Sequence, residues 1–348
     1  MKSFIKYILS ILFPVFGVMA LLNFIIDPGH IYSSSYIDDV IEGARRGLNV
    51  TNVSNMNERI FKKKLIETYK GRNFDYLIIG SSRVMTISED CLRGSTALNL
   101  GVSGSKLEDM IALYQICIDN NVHFKTVIIG TDPTLFNGND KDNRWEAIGS
   151  FYNEYNGEKQ INLEANFKFT LFQNLFSPSY FKTTLKDLPN ALKGNAKIEY
   201  VKTFINDGGT KRPDGSIYYA KEYRESPQSL VDNDAMTCNH GSFNDFTSLS
   251  EERKSIFTNF IDNLQSKGIN IIIWRCPYHP LFYKRIMAMK GILPSISFIG
   301  NYAKKNNFKV IGDFNPQKLG LTNKDFYDGF HMKKETVDKI MLDGLQSN

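Results

Sequence analysis

Residues 74–85 read FDYLIIGSSRVM, and this stretch decides the fold. The apolar, partly β-branched run at 76–79 ends at a glycine, which is typical of a strand buried on both faces of a parallel sheet. Gly80, Ser81 and Ser82 follow at once. Turns of this kind carry the chemistry of α/β proteins, because free backbone N–H groups point out of the sheet there. Ser82 is therefore the candidate nucleophile, and the ordinary alternative for this serine is a helix N-cap.

A second polar cluster lies near the C-terminus, where residues 325–335 read DFYDGFHMKKE after a strand-like run at 308–311. Asp328 and His331 stand three residues apart just before a helix-like segment, so both can turn toward the sheet edge that carries Ser82. A histidine beside a carboxylate can act as a general base whose ring the carboxylate orients. Ser82, His331 and Asp328 are therefore the predicted catalytic residues.

Three short motifs, in order and spacing, resemble those of the SGNH (GDSL-like) hydrolase superfamily. GSS ending at Ser82 matches the nucleophile motif, NLGVSG at 99–104 matches the oxyanion motif, and DGFH at 328–331 matches the Asp-x-x-His motif. The chain resembles in particular the membrane-anchored branch, which includes alginate O-acetylation proteins and the teichoic acid D-alanylation protein DltD. The resemblance implies a Ser-His-Asp triad and an oxyanion held by the backbone N–H groups of Ser82 and Gly104.

The fourth family motif, Gly-x-Asn-Asp, is replaced here by GTDP at residues 130–133. An ionised Asp132 cannot donate a hydrogen bond and would repel an oxyanion, so it is protonated, points elsewhere or has another task. Arg83 and Asn99 are candidates to replace the missing donor, and the alternative for Arg83 is a solvent-facing helix residue. On this argument, Asp132→Asn restores the donor and gives equal or higher activity, by up to roughly tenfold.

Strand-like and helical runs alternate along the chain. The strand-like runs lie at residues 75–79, 96–100, 125–130, 269–274 and 308–312, and helical patterns include residues 57–69, 107–118 and 251–267. This alternation predicts an α/β protein with a flavodoxin-like, doubly wound, five-stranded parallel sheet. The fourth strand delivers His279 to the same sheet edge as Ser82, either as a second site histidine or in a structural role.

The chain has 348 residues, of which 42% are hydrophobic and 13% aromatic, enough for a sizeable core. The interval between the third and fourth strands is too long for an ordinary α/β connection, so it predicts an inserted subdomain. Most of its aromatic rings are expected in its own core, and a few exposed ones would suit stacking on sugars. The predicted division is an N-terminal membrane anchor (1–27), a stalk (28–57), an SGNH-like α/β domain (58–133 and 251–348) and the aromatic-rich insert (134–250).

Residues 7–26 are uncharged and almost wholly apolar, and as a helix they match the thickness of a bilayer core. Lys2 and Lys6 precede the segment and Asp27 follows it, so the positive-inside rule places the N-terminus in the cytoplasm. The sequence thus predicts a single-pass protein of the cytoplasmic membrane with an extracytoplasmic catalytic domain, periplasmic or at the cell surface. The alternatives are a signal peptide cleaved near Ala20 and a buried core helix.

With the resemblance, these features predict an extracytoplasmic serine esterase or O-acyltransferase that transfers an acetyl group to or from cell-envelope polysaccharide or its acylated precursor. The two activities use the same residues, so the sequence does not separate them. The resemblance also implies a membrane-bound O-acyltransferase as a partner. The alternative is a catalytically degenerate SGNH-like protein that binds a glycan or a partner, and Asp132 is its main support.

Composition argues against several other classes of protein. The net charge of +5 is small and the lysines are spread along the chain, so no nucleic-acid binding is expected. The turn at 80–82 lacks the Gly-Lys-Ser/Thr pattern of a phosphate-binding loop. The cysteines lack the spacing of a metal site, so neither a metal nor another cofactor is expected, and their pairing stays open. They are Cys91, Cys117, Cys238 and Cys276.

Overall fold

The structure is a computed structural model that describes residues 2–33, 35–157, 163–192, 197–203 and 207–346. Numbered along the chain, its strands are β1 (Asn49–Thr51), β2 (Asn73–Ile79), β3 (Ala97–Asn99), β4 (His123–Thr131), β5 (Glu199–Val201), β6 (Thr210–Lys211), β7 (Ile217–Tyr218), β8 (Asn270–Arg275) and β9 (Lys309–Gly312). Its helices are α1 (Lys2–Ile26), α2 (Ser35–Arg45), α3 (Glu58–Thr68), α4 (Leu107–Asp119), α5 (Gly149–Tyr155), α6 (Leu163–Leu175), α7 (Pro178–Leu192), α8 (Lys221–Arg224), α9 (Gln228–Thr237), α10 (Glu251–Ser266), α11 (Pro280–Ile286), α12 (Ile292–Lys305) and α13 (Lys334–Gln346).

A five-stranded parallel sheet forms the centre of the molecule, with the strand order β3-β2-β4-β8-β9. Each of the five predicted strand-like runs contributes one strand, so the predicted parallel α/β architecture is confirmed. The order is flavodoxin-like, because the chain passes from β2 to β3 on one side and then to β4 on the other. The switch point lies between β2 and β4, and folds of this kind bind ligands there, beyond the carboxyl ends of the strands.

Helices cover both faces of this sheet. Leu77 and Ile79 of β2 belong to a core formed with α3, α4, α10 and α12, whereas Ile78 between them packs with residues of α13. All three side chains are fully buried. Successive side chains of a strand alternate between the two faces, so a strand covered on both faces needs an unbroken apolar run. The burial of β2 therefore explains its sequence.

A second, antiparallel sheet has the strand order β5-β1-β6-β7 and joins the N-terminal region to the insertion. Residues 28–57 are not a stalk, because β1 pairs with β5 and β6 and α2 packs on α3. Helix α2 buries Ile37, Val40 and Ile41, which stand at helical spacing within an otherwise polar segment. These apolar residues, which the polar composition of the segment obscures, pack the segment against the rest of the protein.

The C-terminal end of α1 is tied to the inserted helices α6 and α7. Asn23 Nδ2 donates to the Leu175 carbonyl at 2.9 Å, and Thr184 Oγ1 donates to Asn23 Oδ1 at 2.7 Å. The Tyr180 hydroxyl donates to Asp27 Oδ1 at 2.9 Å. Asn23 on α1 and Asp27 just after it thus have partners in the insertion, so helices α6 and α7 pack on the N-terminal helix.

The N-terminal membrane anchor predicted from the sequence is not confirmed by the structure. Among the described residues, no helix combines the length and the apolar character that crossing a membrane requires. The predicted span at 7–26 includes Ile8, Leu9 and Ile11, whose side chains lie outside the described residues.

Candidate active site

The structure brings Ser82, His331 and Asp328 into one chain of hydrogen bonds at the carboxyl edge of the central sheet. Ser82 begins a short 3₁₀ helix just after β2, and the other two residues lie in the loop before α13. Ser82 Oγ lies 2.7 Å from His331 Nε2, and His331 Nδ1 lies 2.8 Å from Asp328 Oδ2. This is the geometry of a nucleophile, a general base and an orienting carboxylate.

The hydrogen bonds of Asp328 determine which nitrogen of His331 carries the proton. An ionised carboxylate only accepts, so His331 Nδ1 donates to it, and Nε2 of the neutral ring is left to accept the Ser82 proton. Burial alone raises the pKa of Asp328, but His331, Tyr223 and the backbone N–H of Phe330 lower it more, and the resulting pKa lies well below its usual range. Asp328 therefore remains an acceptor at neutral and mildly acidic pH.

Two tyrosines of the insertion enclose the triad. The Tyr223 hydroxyl donates to Asp328 Oδ2 and lies 3.1 Å from His331 Nδ1. Burial and the nearby Asp328 raise the pKa of Tyr223 far above its usual range, so the hydroxyl stays protonated and keeps donating. The ring of Tyr219 packs edge-on to His331, with 5.9 Å between the ring centroids. Nothing in the sequence separates these two tyrosines from the other aromatic residues of the insertion.

Ser82 and Gly104, the two predicted oxyanion donors, line the same cavity. Within the described part of the chain, neither backbone N–H donates a hydrogen bond to another group. Gly104 has a φ of +58°, a left-handed conformation that glycine adopts at low cost, and a side chain there would collide with Arg144. Two such N–H groups beside a nucleophile can hold the oxyanion of a tetrahedral intermediate.

Asn99 does not line the cavity, because its side chain binds the turn that carries Ser82. Its Nδ2 donates to the carbonyls of Val84 and Ile87, at 2.7 Å each, and its Oδ1 accepts from the N–H of Gly101 at 2.9 Å. The side chain is fully buried. Asn99 therefore fixes the residues just after Ser82 and does not replace the missing oxyanion donor.

Asp132 follows β4 directly, and both of its carboxylate oxygens have partners. Oδ2 accepts from the Ser81 hydroxyl at 2.6 Å, and Oδ1 accepts from Arg83 and, at 3.0 Å, from the Tyr278 hydroxyl. The Arg83 side chain is only 4% exposed, stacks on the Tyr278 ring and also donates to the Pro277 carbonyl at 2.7 Å. Arg83 is therefore neither solvent-facing nor an oxyanion donor, and the two residues form a buried ion pair beside the nucleophile.

His279 lies outside the chain of hydrogen bonds that joins Ser82, His331 and Asp328. It is fully buried, caps the N-terminus of α11 and places its Nε2 3.3 Å from Asp232 Oδ1. Its backbone N–H donates to the Gly329 carbonyl at 3.4 Å, so it supports the loop that carries the base. The second histidine that lines the cavity is His240, which the sequence analysis does not single out. Burial lowers the pKa of His279 and that of His240.

Two cavities that share part of their wall lie beside Ser82, His331 and Asp328. The polar cavity, of about 790 Å³, contains Ser82 and His331 and has charged and amide side chains such as Asn139 and Asp140 in its wall. The apolar cavity, of about 720 Å³, extends from Met85 to helix α6. Residues that line both cavities are Ser103, Arg144 and Tyr219. Two chemically different compartments therefore lie close to Ser82 and His331.

Comparisons with known proteins identify a family without an activity. No functionally curated protein matches the sequence. A family profile described as "Protein of unknown function (DUF1574)" matches residues 9–342, nearly the whole chain. That description assigns no chemistry, so the resemblance to SGNH hydrolases stays a prediction. With this coverage, the chain belongs to the DUF1574 family of proteins of unknown function.

Proposed function

We propose that this protein is a serine acyl-transfer enzyme of the SGNH-like type, an esterase or an O-acyltransferase. The observation that carries the proposal is the continuous hydrogen-bonded chain from Ser82 through His331 to Asp328, with distances of 2.7 and 2.8 Å. Its position supports the proposal too, because flavodoxin-like folds bind ligands at this switch point. The backbone N–H groups of Ser82 and Gly104 beside it support an oxyanion site.

In the proposed reaction, His331 Nε2 takes the hydroxyl proton as Ser82 Oγ attacks the ester carbonyl. The backbone N–H groups of Ser82 and Gly104 stabilise the oxyanion, while Asp328 keeps the ring in its tautomer and stabilises the imidazolium. His331 then gives the proton to the leaving alcohol, and an acyl-serine remains. Water resolves it in an esterase and a substrate hydroxyl in an O-acyltransferase, with His331 again as the base.

The proposed acceptor is a cell-envelope polysaccharide or its acylated precursor. The wall of the polar cavity supports a substrate rich in hydroxyl groups, because Asn139, Asp140 and Asn244 offer amide and carboxylate groups that hydrogen-bond hydroxyls. The rings of Tyr219 and His240 in the same wall suit stacking on a sugar. A membrane-bound O-acyltransferase as the partner rests on the family resemblance alone.

A carboxyl-terminal reporter fusion is expected to be active with alkaline phosphatase, which works only outside the cytoplasm, and inactive with a cytoplasmic reporter. The reason is the proposed location at the cytoplasmic membrane, with the apolar segment at residues 7–26, predicted from the sequence, as anchor and the catalytic part outside. Lys2 and Lys6 before the apolar segment and the exposed apolar side chains of Phe13 and Leu21 on α1 support it. The reverse pattern of reporter activities would contradict the location.

A fluorophosphonate probe is expected to label the full-length protein at Ser82, because an activated serine hydroxyl attacks the phosphorus centre. Labelling is measured by gel fluorescence and located by peptide mass spectrometry. Ser82→Ala should lose the label at an unchanged unfolding midpoint, whereas the neighbouring Ser81→Ala should keep it. Equal labelling of Ser82→Ala would refute the assignment. Absence of labelling on the folded protein would favour the alternative, a catalytically degenerate glycan- or partner-binding protein.

A further inference from the structure

The apolar cavity has no role in the acyl-transfer steps described above. Its volume of about 720 Å³ is typical of sites that bury a small molecule. Its wall includes Met85, three residues after the nucleophile, and the rings of Tyr219 and Tyr223. Tyr223 contacts His331 Nδ1 at 3.1 Å, so the cavity begins next to the catalytic base. Ser103, Arg144 and Tyr219 line both this cavity and the polar cavity that contains Ser82, so a group bound to Ser82 lies beside the apolar cavity.

Most of the charged side chains in the wall of this cavity have charged partners, including Arg144, which pairs with Asp142. Arg59 Nε donates to Asp109 Oδ1 at 2.7 Å, and Lys211 Nζ lies 3.6 Å from Glu58 Oε1. Glu58 also accepts from the N–H of Ser103 at 2.7 Å. Ion pairs of this kind leave the wall poorly suited to a charged ligand, because a new buried charge there would compete for partners already in use. A neutral, apolar group fits the wall better.

Helix α6 forms another part of the wall and points to the type of apolar group. Phe167, Thr170 and Leu171 line the cavity, whereas Phe169 and Phe172 of the same helix are 59% and 57% exposed. Helix α6 also packs on α1, a strongly apolar helix. The cavity therefore has Ser82 near one end and, at the other, the apolar residues of α6 that pack toward α1, an environment suited to an extended hydrocarbon chain.

We propose that the apolar cavity binds the hydrocarbon chain of the acyl group that Ser82 transfers, a medium-length chain in place of the acetyl group expected from the family resemblance. The inference rests on the proposed function. Ser82 Oγ bonds to the acyl carbonyl carbon, the bond to the donor alcohol breaks, and His331 protonates that alcohol. The acyl chain then extends past Met85 and Tyr219 into the apolar cavity, and the hydroxyl acceptor enters through the polar cavity.

Hydrolysis of p-nitrophenyl esters from acetyl to octanoyl by the purified full-length protein tests this inference. We expect kcat/KM to rise by at least about tenfold from acetyl to octanoyl, because each fully buried methylene is worth about fourfold. Ala220→Phe narrows the apolar cavity and is expected to lower the octanoyl-to-acetyl ratio of kcat/KM about tenfold. Ala288→Phe, the same change at an exposed position that lines neither cavity, should keep the ratio within twofold.

Met56→Trp narrows the same cavity from another part of its wall. It replaces Ala220→Phe in the test if that variant does not fold. A parent protein that prefers the acetyl ester, or narrowing variants that keep the parental ratio, would overturn the inference. Probe labelling of Ser82 distinguishes a failure of the acyl-chain site from a failure of the proposed function. Labelling together with acetyl preference retains the proposed function and rejects the acyl-chain site, whereas neither labelling nor ester turnover rejects both.

Discussion

Ser82→Ala lowers kcat for a short acyl ester by roughly 10⁵- to 10⁶-fold in our expectation, because the covalent step loses its nucleophile. His331→Ala is expected to cost about as much, since the hydroxyl without its base is a weak nucleophile. Asp328→Asn should cost roughly 10⁴-fold, because an amide no longer enforces the tautomer that leaves Nε2 free to accept. Initial rates on an acyl ester, at matched unfolding midpoints, measure all three.

Ser81→Ala is the matched control for this series, because its hydroxyl is adjacent but donates to Asp132 instead of the base. Its kcat should stay within about tenfold of the parent, the effect of losing one hydrogen bond. The double variant Ser82→Ala/His331→Ala should lose no more than either single variant, since residues that act as a unit fail together. Additive losses, or a Ser81→Ala loss as large as that of Ser82→Ala, would contradict the triad.

The central sheet and the proximity of Ser82, His331 and Asp328 could be predicted because their signals are local. A strand such as β2, covered on both faces, needs an unbroken apolar run, and the run ends where the chain turns into the site. Parallel strands bring all their carboxyl ends to one edge, so polar residues after different strands come together. That is why Ser82 and His331, far apart along the chain, could be paired from the sequence alone.

Other features could not be predicted because their signals are not local. Strand β1 pairs with β5 across an interval of about 150 residues, and both are three residues long, too short for a periodic pattern. The hydrogen bond from Tyr223 to Asp328 forms only once the insertion has folded over the sheet edge. The partners of Asp132 likewise come from separate loops, and its direction could not be read from the motif.

Asp132→Asn is expected to lower the free energy of unfolding by about 3–5 kcal/mol, because it leaves the buried Arg83 guanidinium without its charge partner. The Asp132 side chain is only 13% exposed, so water compensates little. This reverses the expectation from sequence that the asparagine restores an oxyanion donor and raises activity. The predicted gain required the new amide to reach the oxyanion, whereas the Asp132 side chain points elsewhere, one of the alternatives left open by the sequence, and accepts from Ser81, Arg83 and Tyr278. Urea unfolding of the full-length protein measures the loss.

Two further variants show whether the unpaired charge of Arg83 causes the loss of stability in Asp132→Asn. The double variant Arg83→Met/Asp132→Asn removes the guanidinium as well and should be more stable than Asp132→Asn alone, because an unpaired buried charge costs more than an apolar replacement of the pair. Asp207→Asn breaks a solvent-exposed pair with Lys221 and should leave the unfolding midpoint nearly unchanged. Unchanged stability of Asp132→Asn together with higher esterase activity would instead mean that this side chain serves the oxyanion, as the family motif implies.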